Sequence, residues 1–231
     1  MKKTKPFYTL THYKKINKII NNKNLTPLEI IQNFGLYCGD INLFKVLTIY
    51  KFIEKTKDVK GDIIEFGVWK GNTSLLIKKI IDIFNIKKKI ILFDHFKGLQ
   101  HFKGEPDQLK KYKNRFSSNK IDIKKIINFF NLENIRIIDK DATKLKKKFF
   151  KQKFSLIIID VDLYEPTKKI LSSIENNLSK NGIILFDEGN HEVWKGENKA
   201  LMEFYKVYKK KYKLYKIKFA RKPDIYLKKI K

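Results

Sequence analysis

The sequence predicts an α/β protein: a seven-stranded, mostly parallel sheet with helices on both faces and an N-terminal helical extension. Three observations predict it. Short apolar runs alternate with longer segments of helical spacing over most of the chain. Several of the runs are continuous Ile, Leu and Phe, as strands buried on both faces should be. The last two runs are joined by a tight RKPD turn, which reads as an antiparallel hairpin at the sheet edge.

The elements run in chain order. Before the sheet, helical patterns cover 26–34 (TPLEIIQNF) and 41–55, with Thr26-Pro27 as a helix start. The strands are 62–68, 89–94, 135–139, 154–160, 182–188, 214–220 and 224–229. Helical spacing fills 71–84, 106–131, 165–178 and 198–211, with a shorter basic helix near 144–151. Strand–helix alternation implies parallel strands joined by right-handed crossovers. No Gly-, Ser- or Pro-rich linker interrupts the chain. The expected division is an N-terminal helical extension or lid over 1–58 and one α/β domain over 59–231.

Composition narrows the function classes. With 231 residues and 42% hydrophobic content, the chain can bury a core unaided, which excludes collagen-like and disordered classes. Cys38 is the only cysteine, so neither an intrachain disulfide nor a cysteine zinc cluster can form. The basic start, MKKTKPFYTL, lacks the apolar stretch of a signal peptide, and no run is long enough for a membrane span. A cytoplasmic protein is expected. The net charge of +28 is nearly all lysine, since Arg occurs only at Arg115, Arg136 and Arg221. The lysines are scattered, in a chain also rich in Ile and Asn, as an AT-rich genome supplies. The charge therefore reads as a solvated surface rather than a nucleic-acid site. Attraction to anionic substrates or membrane glycolipids is compatible with it.

In an open parallel sheet, ligands bind beyond the carboxyl ends of the strands, and those ends hold the chemistry here. The first strand ends in EFGVWKGNTS, where Gly67 and Gly71 let the turn run close to a ligand. The spacing is GxxxG, not GxGxxG, which argues against a pyrophosphate. Glu65 suits a cationic or amino-bearing ligand, or is an ordinary surface acid. Asp94 ends the second strand, where an acid accepts hydrogen bonds from ribose or caps the next helix. Asp141, after the third strand, suits an adenine amino group or a plain turn. The fourth strand ends in IIIDVDLYEPT, and on an extended chain Asp160 and Asp162 share one side. Asp187 and Glu188 end the fifth, and if the two strands are neighbours their tips lie ~5 Å apart. So many carboxylates need a proton or a cation between them, and all-oxygen ligands favour Mg²⁺ before Ca²⁺ or Mn²⁺. The alternative is a set of solvated helix caps. His95 and His191 read as lining or packing residues, and His12 and His101 have no context. Trp69 and Trp194 read as core, and Cys38 as a small buried hydrophobe.

Taken together, GDIIEFGVWKGNTS, ILFDHFKGL, LIIIDVDLYEPTKKIL and GIILFDEGN followed by VWKGENKALMEF resemble the blocks of the macrocin O-methyltransferase (TylF-type) family, over about 61–204. The resemblance implies a class I, Rossmann-like methyltransferase fold, with S-adenosylmethionine and Mg²⁺ as cofactors and a sugar hydroxyl as acceptor. It implies that Glu65, Gly67 and Gly71 surround the methionine part, that Asp94 binds the ribose and that Asp141 lies near the adenine. It makes Asp160, Asp187 and Glu188 the Mg²⁺ ligands and Asp162 the general base. The chain departs from the family pattern at Glu188, His95 and Asn181, where Asp, Ser and Gly are usual. The acceptor is then a surface glycan, a nucleotide sugar or a glycosylated natural product, with polysaccharide biosynthesis as a setting. Phe7, Tyr8 and Tyr37 are placed to form a lid. A homo-oligomer is compatible with all of this. The rival readings are an O-methyltransferase of a catechol-like diol and a Lys-rich nucleic-acid-binding protein on the same fold.

Overall fold

The computed structural model describes Lys18 and residues 26–32, 40–102, 112–189, 194–218 and 222–231. Phe7, Tyr8, His12, Tyr37, Cys38 and His191, all named above, lie outside the described residues.

Seven strands form one sheet, β1 (Asp62–Phe66), β2 (Ile90–Asp94), β3 (Ile135–Asp139), β4 (Phe154–Ile159), β5 (Leu178–Phe186), β6 (Tyr212–Lys216) and β7 (Ile225–Lys229). Their order is β3-β2-β1-β4-β5-β7-β6. The first five are parallel, and β7 is antiparallel to both β5 and β6. The sheet thus reverses its strand order beside β1, where β2 lies on one side and β4 on the other. A crevice opens there beyond the carboxyl ends.

Helices cover both faces because the central strands are apolar on both. Ile63, Ile90, Leu92, Leu156 and Ile158 meet α2 (Asp40–Thr56), α3 (Asn72–Ile83) and α4 (Lys120–Phe129). Their neighbours Ile64, Phe66, Phe93, Ile157 and Ile159 meet α5 (Tyr164–Ile174) and α6 (Lys195–Tyr208). Before them, α1 (Pro27–Gln32) starts in a capping box: Thr26 N–H donates to Glu29 at 2.7 Å, and Glu29 N–H to Thr26 Oγ1 at 3.2 Å. α2 belongs to the core, since Ile49, Phe52 and Ile53 are at most 1% exposed.

Several elements differ in extent from the sequence reading. β6 spans Tyr212–Lys216 rather than 214–220, α5 ends at Ile174 rather than 178, and α6 spans Lys195–Tyr208 rather than 198–211. Of the helix expected over 106–131, only Lys120–Phe129 forms among the described residues. Asn114 and Phe116 have φ of 64° and 62°, and Asn119 caps the shorter helix by accepting from Ile121 N–H at 2.8 Å. The basic helix near 144–151 is a single 3₁₀ turn, Ala142–Lys144, and Lys148 with φ 65° cannot continue it. β5 starts four residues before the expected 182, through an irregularity at Asn181 (φ 65°) that shifts its register with β4.

Candidate active site

The β1–α3 turn is the tightest part of the site. Gly67 has φ 87°, and a Cβ there would stand 1.8 Å from the carbonyl oxygen of Asp160. The missing side chain lets the turn pack directly against the residue that follows β4, and Gly67 also lines the cavity beyond the strand ends. Gly71 caps α3 in the left-handed region, φ 82°. Glu65 is 1% exposed and takes a hydrogen bond from Ser74 Oγ on α3. Burial pushes its carboxyl up to about 8, against the opposing pull of Ser74 and Lys45. It lies beneath the turn, so it is not a surface acid.

Asp94 clamps that turn from β2. Its Oδ2 accepts from Val68 N–H at 2.8 Å and Trp69 N–H at 2.9 Å, and its Oδ1 from Phe96 N–H at 2.7 Å. A carboxylate offers about four acceptor sites, so capacity remains for a ligand hydroxyl. Asp141 caps the 3₁₀ turn through Thr143 and pairs with His101 Nε2 at 2.9 Å. Burial raises its carboxyl, but Thr143 and His101 outweigh that and hold it below the usual range. His101, without context in the sequence, thus has a partner 40 residues away. Trp69, read as core, is 42% exposed at φ 48°.

A cavity of about 280 Å³ opens here, lined among others by Gly67, Asp94, His95, His101 and Asp141, and by Asp160, Asp162, Asp187 and Glu188. Trp69, Leu99, Phe116, Leu163 and Trp194 supply apolar lining. These polar and glycine positions all come from strand ends or the loops just beyond them. Glu65 and Gly71 are not in the lining and act on the turn from behind.

The carboxylates are ordered by two lysines that the sequence does not single out. Lys45 Nζ on α2 lies 3.0 Å from Asp160 Oδ2 and 3.1 Å from Asp187 Oδ1. Burial alone would lower the Lys45 pKa, but the charges of Asp160 and Asp187 hold it well above the ordinary lysine range. Lys222 pairs with Glu188 Oε1. Burial, only partly offset by Lys222, pushes the Glu188 carboxyl up to about 7. Glu197, on α6 and fully buried, accepts Glu188 N–H at 2.8 Å. Burial raises its carboxyl well above the usual range, against the opposing pull of the Glu188 N–H.

Asp162 reaches the cavity by a route other than strand alternation. β4 ends at Ile159, and Asp162 sits at φ 60°, left-handed backbone that Asp tolerates better than most residues. It is 7% exposed. Burial, with the charges of Asp160 and Glu188, pushes its carboxyl well above the ordinary range. A strained acid with a raised pKa in a cleft suits proton transfer.

A hard cation fits between Asp160 and Asp187, since oxygens from two adjacent strand ends already close on one positive charge. Glu188 faces Lys222 instead. Among the described residues, three donor atoms within 4.8 Å of one another occur at His95, His101 and Asp141. His95 Nδ1 accepts from Lys97 N–H at 3.0 Å, which leaves its Nε2 as a donor in the neutral ring. No described helix is long and apolar enough to cross a membrane.

Known proteins resemble this chain in sequence pattern and in fold. The sequence model of the macrocin-O-methyltransferase (TylF) family matches residues 44–221. No curated protein sequence matches. Among solved structures, the calicheamicin methyltransferase CalS11 is similar with a TM-score of 0.78 at 21% identity, over 96% of this chain and 93% of that one. Its apo form, described as TDP-rhamnose 3'-O-methyltransferase, gives 0.69 at 20%, over 96% and 95%. The O-methyltransferase NovP gives 0.70 at 17%, over 85% of this chain and 82% of that one.

Proposed function

We propose that the chain, which belongs to the macrocin-O-methyltransferase (TylF) family and is an S-adenosylmethionine-dependent O-methyltransferase, methylates a hydroxyl of a saccharide with Asp162 as general base. Asp160 and Asp187 are the Mg²⁺ ligands in this reading, and Glu188 joins them on leaving Lys222. One observation carries it: the acids suited to a nucleoside, Asp94 and Asp141, line the same cavity as the buried base Asp162 and the cation-gathering pair Asp160 and Asp187. The similarity to CalS11, described as acting on TDP-rhamnose, supports a sugar acceptor.

When bound, S-adenosylmethionine supplies an activated methyl group, and Mg²⁺ supplies Lewis acidity toward neighbouring sugar oxygens. The chain's own residues do the rest. Asp94 binds the ribose hydroxyls while clamping the turn, and Asp141, held by Thr143 and His101, faces the adenine. Glu65, Gly67 and Gly71 hold the backbone that borders the methionine part. Asp162 would receive the acceptor hydroxyl's proton on a carboxylate oxygen as the oxygen–carbon bond forms and the methyl–sulfur bond breaks, leaving S-adenosylhomocysteine. Trp69, Leu99, Phe116, Leu163 and Trp194 limit water at the reacting atoms.

Calorimetric titration of S-adenosylhomocysteine, with and without Mg²⁺, tests the cofactor half of this reading. Saturable one-to-one binding is expected. Asp94→Ala should weaken it by at least ~10-fold, since hydrogen bonds to a charged group are worth ~1.5–3 kcal/mol. Unchanged affinity in Asp94→Ala would remove the ribose role.

A further inference from the structure

Lys45 has no place in the reading above, yet its ammonium lies where that reading needs a metal ion. It stands 3.0 Å from Asp160 and 3.1 Å from Asp187, the two acids at the ends of β4 and β5. The helix that delivers it is fixed, because Ile49, Phe52 and Ile53 on α2 are buried against the sheet. Mg²⁺ takes oxygens at about 2.1 Å, so an ion shared by both acids would hold each about 1 Å nearer than the ammonium does. The two cations cannot occupy that space together.

We propose that Lys45 is an internal cation that competes with a divalent ion for Asp160 and Asp187, and that ion binding requires the lysine to withdraw. The proposal rests on the Mg²⁺ reading only in taking these two acids as the ion's ligands. Without an ion, Lys45 stops the two carboxylates from repelling one another. With one, the freed ammonium becomes a mobile charge at the rim of the acceptor cavity, on the first helix of the core.

The test is Mn²⁺ titration of the full-length protein, with free ion read by electron paramagnetic resonance, for wild type, Lys45→Met, Lys45→Gln and Lys45→Arg. Removing the competing charge should tighten Mn²⁺ binding by at least ~10-fold in Lys45→Met and Lys45→Gln, whereas Lys45→Arg should stay within about threefold of wild type or bind more weakly. Gln keeps a hydrogen-bond donor for the acids, so a folding defect in the Met variant does not block the comparison. A purely structural lysine would give the opposite sign, because its loss would loosen the acids and weaken the ion. Equal or weaker binding in both neutral variants overturns the competition and leaves the metal reading standing. Binding in the neutral variants alone supports the competition but overturns metal dependence in the native enzyme. Binding in none of the four proteins overturns both.

Discussion

Asp162→Asn leaves S-adenosylhomocysteine affinity unchanged and lowers kcat by ~10²–10⁴, the range that a positioned general base contributes. The variant isolates chemistry from folding. Asn adopts the left-handed backbone found at this position (φ 60°) as readily as Asp, and it has nearly the same volume. It also removes a carboxyl that burial holds well above its usual pKa. The pH dependence has a definite sign. A base must be ionised to work, so wild-type turnover falls as pH drops through the raised pKa of Asp162. That acid limb disappears from the residual activity of the variant. A residual rate equal to wild type would take Asp162 out of the reaction.

Gly67→Ala is expected to be the most damaging single substitution in the site. The added Cβ would lie 1.8 Å from the Asp160 carbonyl oxygen, and the backbone at φ 87° disfavours any side chain. Both β1 and β4 are central and apolar on both faces, so neither can move aside without opening the core. Strain and overpacking together are worth about 4 kcal/mol or more, and thermal unfolding should fall by roughly 10 °C. Gly71→Ala makes a useful contrast. Its Cβ would meet only Ile123 at 3.6 Å, so just the left-handed backbone (φ 82°) is penalised. If Gly67→Ala melted within a degree or two of wild type, the close contact between the turn and β4 would be wrong.

Much of this architecture is legible in the sequence. β2 differs from its expected span by one residue, because a strand buried on both faces needs an unbroken apolar run, and the half-exposed edge strand β3 spans the expected 135–139. The antiparallel pairing of β6 and β7 at the sheet edge is as expected, but β6 spans Tyr212–Lys216 rather than 214–220, so the connection to β7 is longer than a tight RKPD turn. The segment before α4 is not legible. Its helical spacing extends back past Asn114 and Phe116, yet both turn left-handed and the chain bridges Lys97 to Ser117 instead. Asn119 at the head of KIDIKKIINF is the signal for the true start.

The site divides in the same way. Acids at strand ends stand out against apolar runs, so Asp94, Asp160, Asp162 and Asp187 are visible in the bare sequence. The cations that balance them are not, because Lys45 and Lys222 belong to 52 basic residues and nothing local distinguishes them. Lys45 is 115 residues from Asp160 in the chain, and only the packing of α2 brings them together. The His101–Asp141 pair is hidden by the same kind of distance. Glu197 carries a weak signal, an acid within the apolar spacing of α6, where a buried carboxyl needs a backbone donor.

Whether the methyl group goes to a saccharide hydroxyl is decided by acceptor screening with mass spectrometry. The protein would be incubated with S-adenosylmethionine carrying a labelled methyl group, against nucleotide sugars, oligosaccharides, catechols and RNA. Label is expected on a saccharide, with loss of that product in Asp162→Asn. Label on catechols alone, or on RNA alone, would contradict the saccharide assignment.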